Sequence, residues 1–401
     1  MKLYKNLCEA VAQALQSIFT DNKYADQVIE KLLKSNPKWG SRDRRFIAET
    51  TYDIVRWQRL FVELSQADDN DYWKLVGTWC LWKNYELPDW EEFGGLAREN
   101  FDVQYESLKS IRKIRESIPD WLDELGEKEL GTAWEKEIAS LNTEARVVLR
   151  VNTLKTNCTK LQKNLEKDAI ETSTEPDFPD ALILVKRQNL FNRKEFLDGH
   201  FEIQDAGSQL IAPYLQPEPG MVVIDACAGG GGKSLHLAAL MKNKGRIISM
   251  DVESRKLLEL QKRAKRAGVT CIETKAIESP ATINSLANAA DRVLLDVPCS
   301  GLGVIKRNPD AKWKLSLDFI EKIKTLQQEI LNDYSVMVKP GGLLVYSTCS
   351  LLPSENEKQV AIFLKSNKIF ELVDQKSVLP SAGFDGFYMA LMRLRQTQPD
   401  K

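Results

Sequence analysis

The sequence predicts an α/β chain in three parts: an all-α N-terminal domain, a small α+β module, and a C-terminal domain on a doubly wound parallel sheet. Three observations predict this. Apolar residues recur at helical spacing through the first 140 positions, short runs rich in Val, Leu and Ile then flank one helical stretch, and from about Phe201 apolar runs alternate with helical stretches. The chain's 401 residues suit two or three domains.

The helical part is assigned to residues 1–140. Leu7, Val11, Leu15 and Ile18 share one helical face, as do Phe46, Ile47, Ile54 and Val55. Asp21 or Asn22 is placed to end the first helix, and Ser41 to cap a later one with Asp43 in its first turn. Eight of the nine tryptophans fall between Trp39 and Trp134, which predicts a tryptophan-rich helical core. The α+β module is assigned to residues 141–204, with strands at 146–151 and 181–185 and a helix at 159–167. Its Pro-containing acidic stretch 171–180 is expected to be an exposed loop. In the domain 205–401, strands are expected at 221–224, 246–250, 292–295 and 343–346, with helices at 234–241, 254–267 and 317–338. Continuous apolar runs of this length suit strands covered on both faces, and the alternation requires right-handed crossovers.

Bulk properties exclude several classes. No apolar run approaches a membrane span, and Met1–Asn6 lead into an amphipathic segment without the features of a signal peptide, so a cytoplasmic protein is expected. Seven widely spaced cysteines without a C-x-x-C pair, and only two histidines, argue against a zinc site or a disulfide framework, and no metal is expected. The net charge is −1, but it is unevenly spread: +4 over residues 1–60 and −10 over residues 61–140. A polyanion must therefore meet selected faces.

The chemistry gathers at predicted strand ends. The first strand of the C-terminal domain runs into Asp225, followed by Ala226, Cys227, Ala228, Gly229, Gly230, Gly231, Gly232, Lys233 and Ser234. A glycine run between strand and helix lets backbone amides approach a ligand closely. Asp251 ends the next strand, where a carboxylate can accept hydrogen bonds from a ribose diol, and Asp296 ends a third. Gly232-Lys233-Ser234 also resembles the end of a phosphate-binding P-loop, but that motif needs glycine where Cys227 stands. A dinucleotide fold would use the same acid after the second strand while leaving the downstream cysteines without a role, and a glycine-rich turn without ligand is the bland alternative. Those cysteines are Cys299, in Asp296-Val297-Pro298-Cys299-Ser300-Gly301, and Cys349, in Tyr346-Ser347-Thr348-Cys349-Ser350. Both follow predicted strands, which brings two thiols to one sheet edge beside Asp296.

In these motifs the chain resembles the Sun/RsmB-type family of RNA 5-methylcytosine methyltransferases. The resemblance extends to Arg150-Val151-Asn152-Thr153, Ile203-Gln204-Asp205, Lys306-Arg307-Asn308-Pro309-Asp310, Glu355-Asn356-Glu357 and Asp385-Gly386-Phe387-Tyr388. Ser41-Arg42-Asp43-Arg44-Arg45 with Tyr52 and Arg56 is similar to the NusB-like helical domain of the bacterial ribosomal RNA enzymes. The resemblance implies a Rossmann-like domain that binds S-adenosylmethionine through Cys227, Ala228, Gly229, Gly230, Gly231, Gly232, Lys233, Asp251 and Asp296. It implies Cys349 as nucleophile, Cys299 as the group assisting product release, and Asp296 as the residue holding the cytosine edge. DNA cytosine methyltransferases use the Pro-Cys cysteine and lack the second, so Cys349 argues for RNA, with small-subunit ribosomal RNA the substrate that the NusB-like domain suggests.

Such chemistry needs a thiolate to add to carbon 6 of the base, a donor or acid at the ring edge, and a flipped nucleotide. Two positions depart from the family pattern. Gly230 replaces a proline, which predicts a floppier loop, and Lys275 stands where an acid usually meets the adenine, with Glu273 or Glu278 as substitutes. For RNA contacts, Lys306, Arg307, Lys312 and Lys314 surround Trp313 just after Cys299, a pattern suited to phosphate binding and base stacking. The basic stretch Arg255–Arg266 reads first as a solvated helix face. A monomer is expected. A catalytically inactive RNA-binding assembly factor with the same fold is the competing reading, and a nucleotide hydrolase a more distant one.

Overall fold

The computed structural model describes residues 2–68 and 70–396. It divides into two compact units, residues 1–143 with 305–316, and residues 144–304 with 317–401.

The first unit is helical among the described residues, with helices including Lys5–Phe19, Ala25–Ser35, Ser41–Arg56, Gln58–Ser65 and Tyr72–Trp82. Its core contains Leu7, Val11, Leu15, Ile18, Ile47, Ile54 and Val55, the faces read from helical spacing. Tryptophans 39, 57, 73, 79, 82 and 90 pack in or against that core. Ser41 is the first helical residue and not the cap. Gly40 takes the cap position, and its amide donates to the Asp43 carboxylate at 3.3 Å. The first helix stops earlier than expected, at Phe19.

The second unit holds two sheets. Strands β1 (Val148–Val151), β2 (Thr172–Glu175), β3 (Phe178–Leu184) and β4 (Phe201–Ile203) form a four-stranded sheet in the order β2-β3-β1-β4. The stretch 171–180 is therefore not a loop. It is an antiparallel hairpin pairing Glu175 with Phe178, and Pro179 sits at the start of a strand, where its missing amide costs least. The larger sheet comprises β5 (Val222–Asp225), β6 (Arg246–Asp251), β7 (Ile272–Ala276), β8 (Ala290–Asp296), β9 (Val338–Thr348), β10 (Phe370–Val378) and β11 (Phe387–Leu394). Its order is β10-β11-β9-β8-β5-β6-β7, with β11 antiparallel to both neighbours. This is a Rossmann-like sheet. Val223, Leu294 and Val345 point into one apolar core, and Ile224, Leu295 and Tyr346 into the other, so each central strand is covered on both faces.

The connections set the site. From β5 the chain builds outward to β6 and β7, then crosses to β8 on the opposite side of β5. The carboxyl ends of β5 and β8 thus flank the switch point, where open α/β sheets bind ligands. Among the described residues no helix is long and apolar enough to cross a membrane.

Candidate active site

β5 ends at Asp225, and the helix Gly232–Leu240 begins seven residues later, just after the glycine run. The chain reverses in a turn closed by the Gly231 amide donating to the Ala228 carbonyl at 2.9 Å. Gly229 and Gly231 take φ values of 53° and 83°, which other residues adopt only with strain. A Cβ at Gly231 would also lie 2.4 Å from Leu260 Cγ, whereas one at Gly229 would meet nothing within 4 Å. The loop is thus closed beneath and open above. Asp251 braces it: Oδ2 accepts from the Gly229 amide at 2.9 Å and Oδ1 from the Glu253 amide at 2.8 Å. The Asp225 carboxylate is buried. Its Oδ2 accepts from Ser234 Oγ at 2.6 Å, its Oδ1 has no protein partner, and burial pushes its pKa up to about 7. An open glycine cradle with an unsatisfied acid beneath it and a second acid at its rim fits a ligand carrying amine and hydroxyl donors. Cys227 lies in this loop, and burial, then Asp225, pushes its thiol well above the ordinary range, so it is held as an inert thiol.

Lys233 turns toward the next acid. Its ammonium sits 2.5 Å from Asp296 Oδ2, while Asp296 Oδ1 accepts from Ser347 Oγ at 2.9 Å. Burial disfavours the lysine's charge, but Asp296 and then Cys349 outweigh it, and the lysine pKa is raised.

β8 and β9 are parallel neighbours, with Asp296 opposite Ser347. Cys299 lies three residues beyond the first and Cys349 two beyond the second, so the register itself brings the thiols together. Their Sγ atoms are 3.3 Å apart and both are partly exposed. The contact with Cys349, followed by burial, pushes the Cys299 thiol well above its ordinary value, so Cys299 keeps its proton.

A residue of the Glu355-Asn356-Glu357 motif, to which the sequence assigns no role, locks these loops. Glu355 is fully buried. It accepts from the Ser300 amide at 2.8 Å, from Ser300 Oγ and Ser350 Oγ at 2.5 Å each, and from Gln327 Nε2 at 3.0 Å. The serine after each cysteine thus binds one carboxylate. The repeated Cys-Ser pair was the available signal. Gly303 adds a second tie, donating to the Cys349 carbonyl at 2.8 Å, and a Cβ there would lie 2.3 Å from the Gly386 oxygen.

The expected RNA-contact cluster is corrected. Lys306–Lys314 belongs to the helical unit. Lys312 is fully buried, its Nζ donating to the Arg56 carbonyl at 2.7 Å, and Trp313 Nε1 donates to the Val55 carbonyl at 2.7 Å. Those carbonyls end the helix Ser41–Arg56, whose last groups lack intrahelical donors, so the two side chains cap it. Lys306 is also buried, and Arg307 is half-buried. Lys312 and Trp313 are structural residues because a helix end needed donors, and sequence proximity to Cys299 concealed that. Of the substitutes suggested for Lys275, Glu273 is held by Arg246 at 2.9 and 2.7 Å, and Lys275 itself donates to Ser285 Oγ at 3.1 Å.

The chain is similar to several known proteins. Residues 212–393 match the family model of the 16S rRNA methyltransferase RsmB/F, and residues 118–190 match the ferredoxin-like domain model of RsmF/B-like methyltransferases. The probable ribosomal RNA small subunit methyltransferase B of Synechocystis sp. is 32% identical over 88% of this chain and 88% of its own length. The ribosomal RNA small subunit methyltransferase B of Vibrio cholerae is 33% identical over 68% of this chain and 64% of its own. The solved structure of PH0851 superposes with a TM-score of 0.82 at 26% identity, covering 98% of this chain and 99% of that one. With that extent of identity to the Synechocystis protein, this chain belongs to the 16S rRNA methyltransferase RsmB/F family.

Proposed function

We propose that this protein transfers a methyl group from S-adenosylmethionine to carbon 5 of a cytosine in small-subunit ribosomal RNA, through a covalent adduct between Cys349 and carbon 6 of the base. The observation that carries this reading is the pair of sulfurs 3.3 Å apart on adjacent parallel strand ends, beside Asp296 and Lys233. Each group has a task. Cys349 adds to carbon 6, which makes carbon 5 nucleophilic. Asp296, steadied by Ser347 and Lys233, holds the base edge where charge develops. Cys299, which retains its proton, lies within reach of Cys349 and donates a hydrogen bond to the departing Cys349 thiolate as solvent water takes the carbon 5 proton. The turn at Gly229–Gly232, with Asp251 and Asp225, holds the cofactor, which supplies the methyl on its sulfonium. Cys227 contributes backbone and packing and no chemistry. The helical unit serves as the NusB-like part that engages RNA or a ribosomal partner, and a ribosomal RNA substrate places the protein in the cytoplasm.

The test is methyl transfer from labelled S-adenosylmethionine to small-subunit RNA. Cys349→Ala abolishes transfer, and Cys299→Ala accumulates a covalent protein–RNA adduct. Full activity in Cys349→Ala sinks the nucleophile assignment. No transfer by the wild type, with RNA binding intact, shifts the reading to the inactive assembly factor.

A further inference from the structure

Four consecutive glycines make the cofactor loop the least intrinsically ordered part of the site. Two of its carbonyls are nevertheless held from outside. Arg263, on the helix Ser254–Ala267, donates Nη1 to the Gly230 carbonyl at 2.6 Å. Arg150, on β1, donates to the Gly232 carbonyl. Both guanidiniums are themselves fixed. Glu202 Oε2 accepts from Arg263 Nε and Nη2 at 3.2 and 3.0 Å, and its other oxygen takes Arg266 Nη2 at 2.6 Å. Gln204 accepts from Arg150. Glu202 is 4% exposed and pairs across the small sheet with Arg150, so strand register places both anchors.

Gly230 differs from its neighbours. Gly229 and Gly231 have positive φ, and Gly230 does not. A Cβ at Gly230 would meet only Arg263 Nη1, at 3.2 Å. The backbone therefore does not demand glycine at 230, and the position costs order that a stiffer residue would retain.

We propose that Arg263 is a positioning residue for S-adenosylmethionine binding: its bond to the Gly230 carbonyl, backed by Glu202, supplies the loop order that glycine at 230 gives up. The proposal rests on the cofactor assignment above. A free loop samples closed and open forms, and affinity falls in proportion to the fraction that is competent. Arg263 raises that fraction before the cofactor arrives.

The experiment is calorimetric titration of the full chain with S-adenosylmethionine, together with hydrogen exchange of the 226–232 peptide without ligand. Arg263→Leu leaves Glu202 paired with Arg266. It is expected to weaken binding about tenfold and speed exchange of the loop amides. Gly230→Pro is expected to tighten binding about two- to fivefold and to recover a similar factor in the Arg263→Leu background. Arg263→Lys keeps a cation beside Glu202 but cannot span both partners, so it lies between wild type and Arg263→Leu and carries the test should the leucine variant fold poorly. Unchanged affinity and unchanged loop exchange in the Arg263 variants overturn the proposal, as does a proline variant that recovers nothing. A wild type that binds no S-adenosylmethionine defeats the cofactor assignment, and loop exchange still decides whether Arg263 orders the loop.

Discussion

Lys233, partly buried, and Lys312, fully buried, lie one in each unit, and the protein holds them by opposite means. Lys233 faces a carboxylate, Asp296, and its pKa is raised despite burial. Lys312 faces carbonyl oxygen, and burial followed by Arg56 pushes its pKa well below the ordinary value. Carbonyl oxygens satisfy the ammonium protons but carry no full charge, so they return only part of the lost hydration. An ion pair costs desolvation as well, but its field persists in the site and can act on a substrate. One lysine therefore stands in an ion pair at the candidate site and the other at a helix end.

The strongest way to break this comparison is Lys233→Met. Removing the cation leaves Asp296 uncompensated, and methyl transfer is expected to fall by about 10²–10³ at unchanged far-ultraviolet dichroism. A variant with wild-type turnover would put Lys233 in the same structural class as Lys312.

A buried histidine extends the comparison. His236 is 3% exposed, neither ring nitrogen has a hydrogen-bond partner, and Asp180 Oδ2 lies 3.7 Å away. Burial lowers its pKa to about 4. The unfolded chain binds the proton first as pH falls, so His236 contributes full stability above its ordinary value near 6.5 and loses it between that pH and about 4. The loss is expected to be about 3.5 kcal/mol, on the order of 1.4 kcal/mol per pH unit over that window. Denaturant melts of wild type and His236→Leu across this window check it. Parallel pH profiles would show that His236 does not titrate as described.

The smallest effect is expected from Lys312→Met. It removes one helix-end donor while relieving a buried charge, so stability should change by about 1 kcal/mol in either direction. Cofactor affinity should stay unchanged, which titration of the variant checks. A marked loss of RNA affinity at full stability would restore Lys312 to the RNA surface.

Much of the fold was legible because its signals are local. The helix Ser254–Ala267 appears at the residues expected. The strand at 181–184 was legible, but the first arm of the hairpin and its turn at 172–180 were not, since proline and acidic residues there suit a strand start as well as a loop. β10 was illegible for a similar reason: six successive residues in it are exposed, so it lacks a continuous apolar run. At the site, the two cysteine motifs announced themselves by composition. The Glu355-Asn356-Glu357 motif stood out too, but not the task of Glu355, which appears only when Ser300 and Ser350 converge on its carboxylate.

The sequence by itself determined the order of elements, the glycine loop, and which residues end the central strands, because hydrophobic period and turn chemistry act over a few residues. Tertiary structure alone decided that Asp296 lies opposite Ser347, that Lys233 pairs with Asp296, and that Lys312 and Trp313 cap a helix more than 250 positions earlier in the chain. Each of these is a choice of partner for a polar group leaving water, and such a choice depends on which donors and acceptors the packed chain brings within 3 Å, information that no local pattern carries.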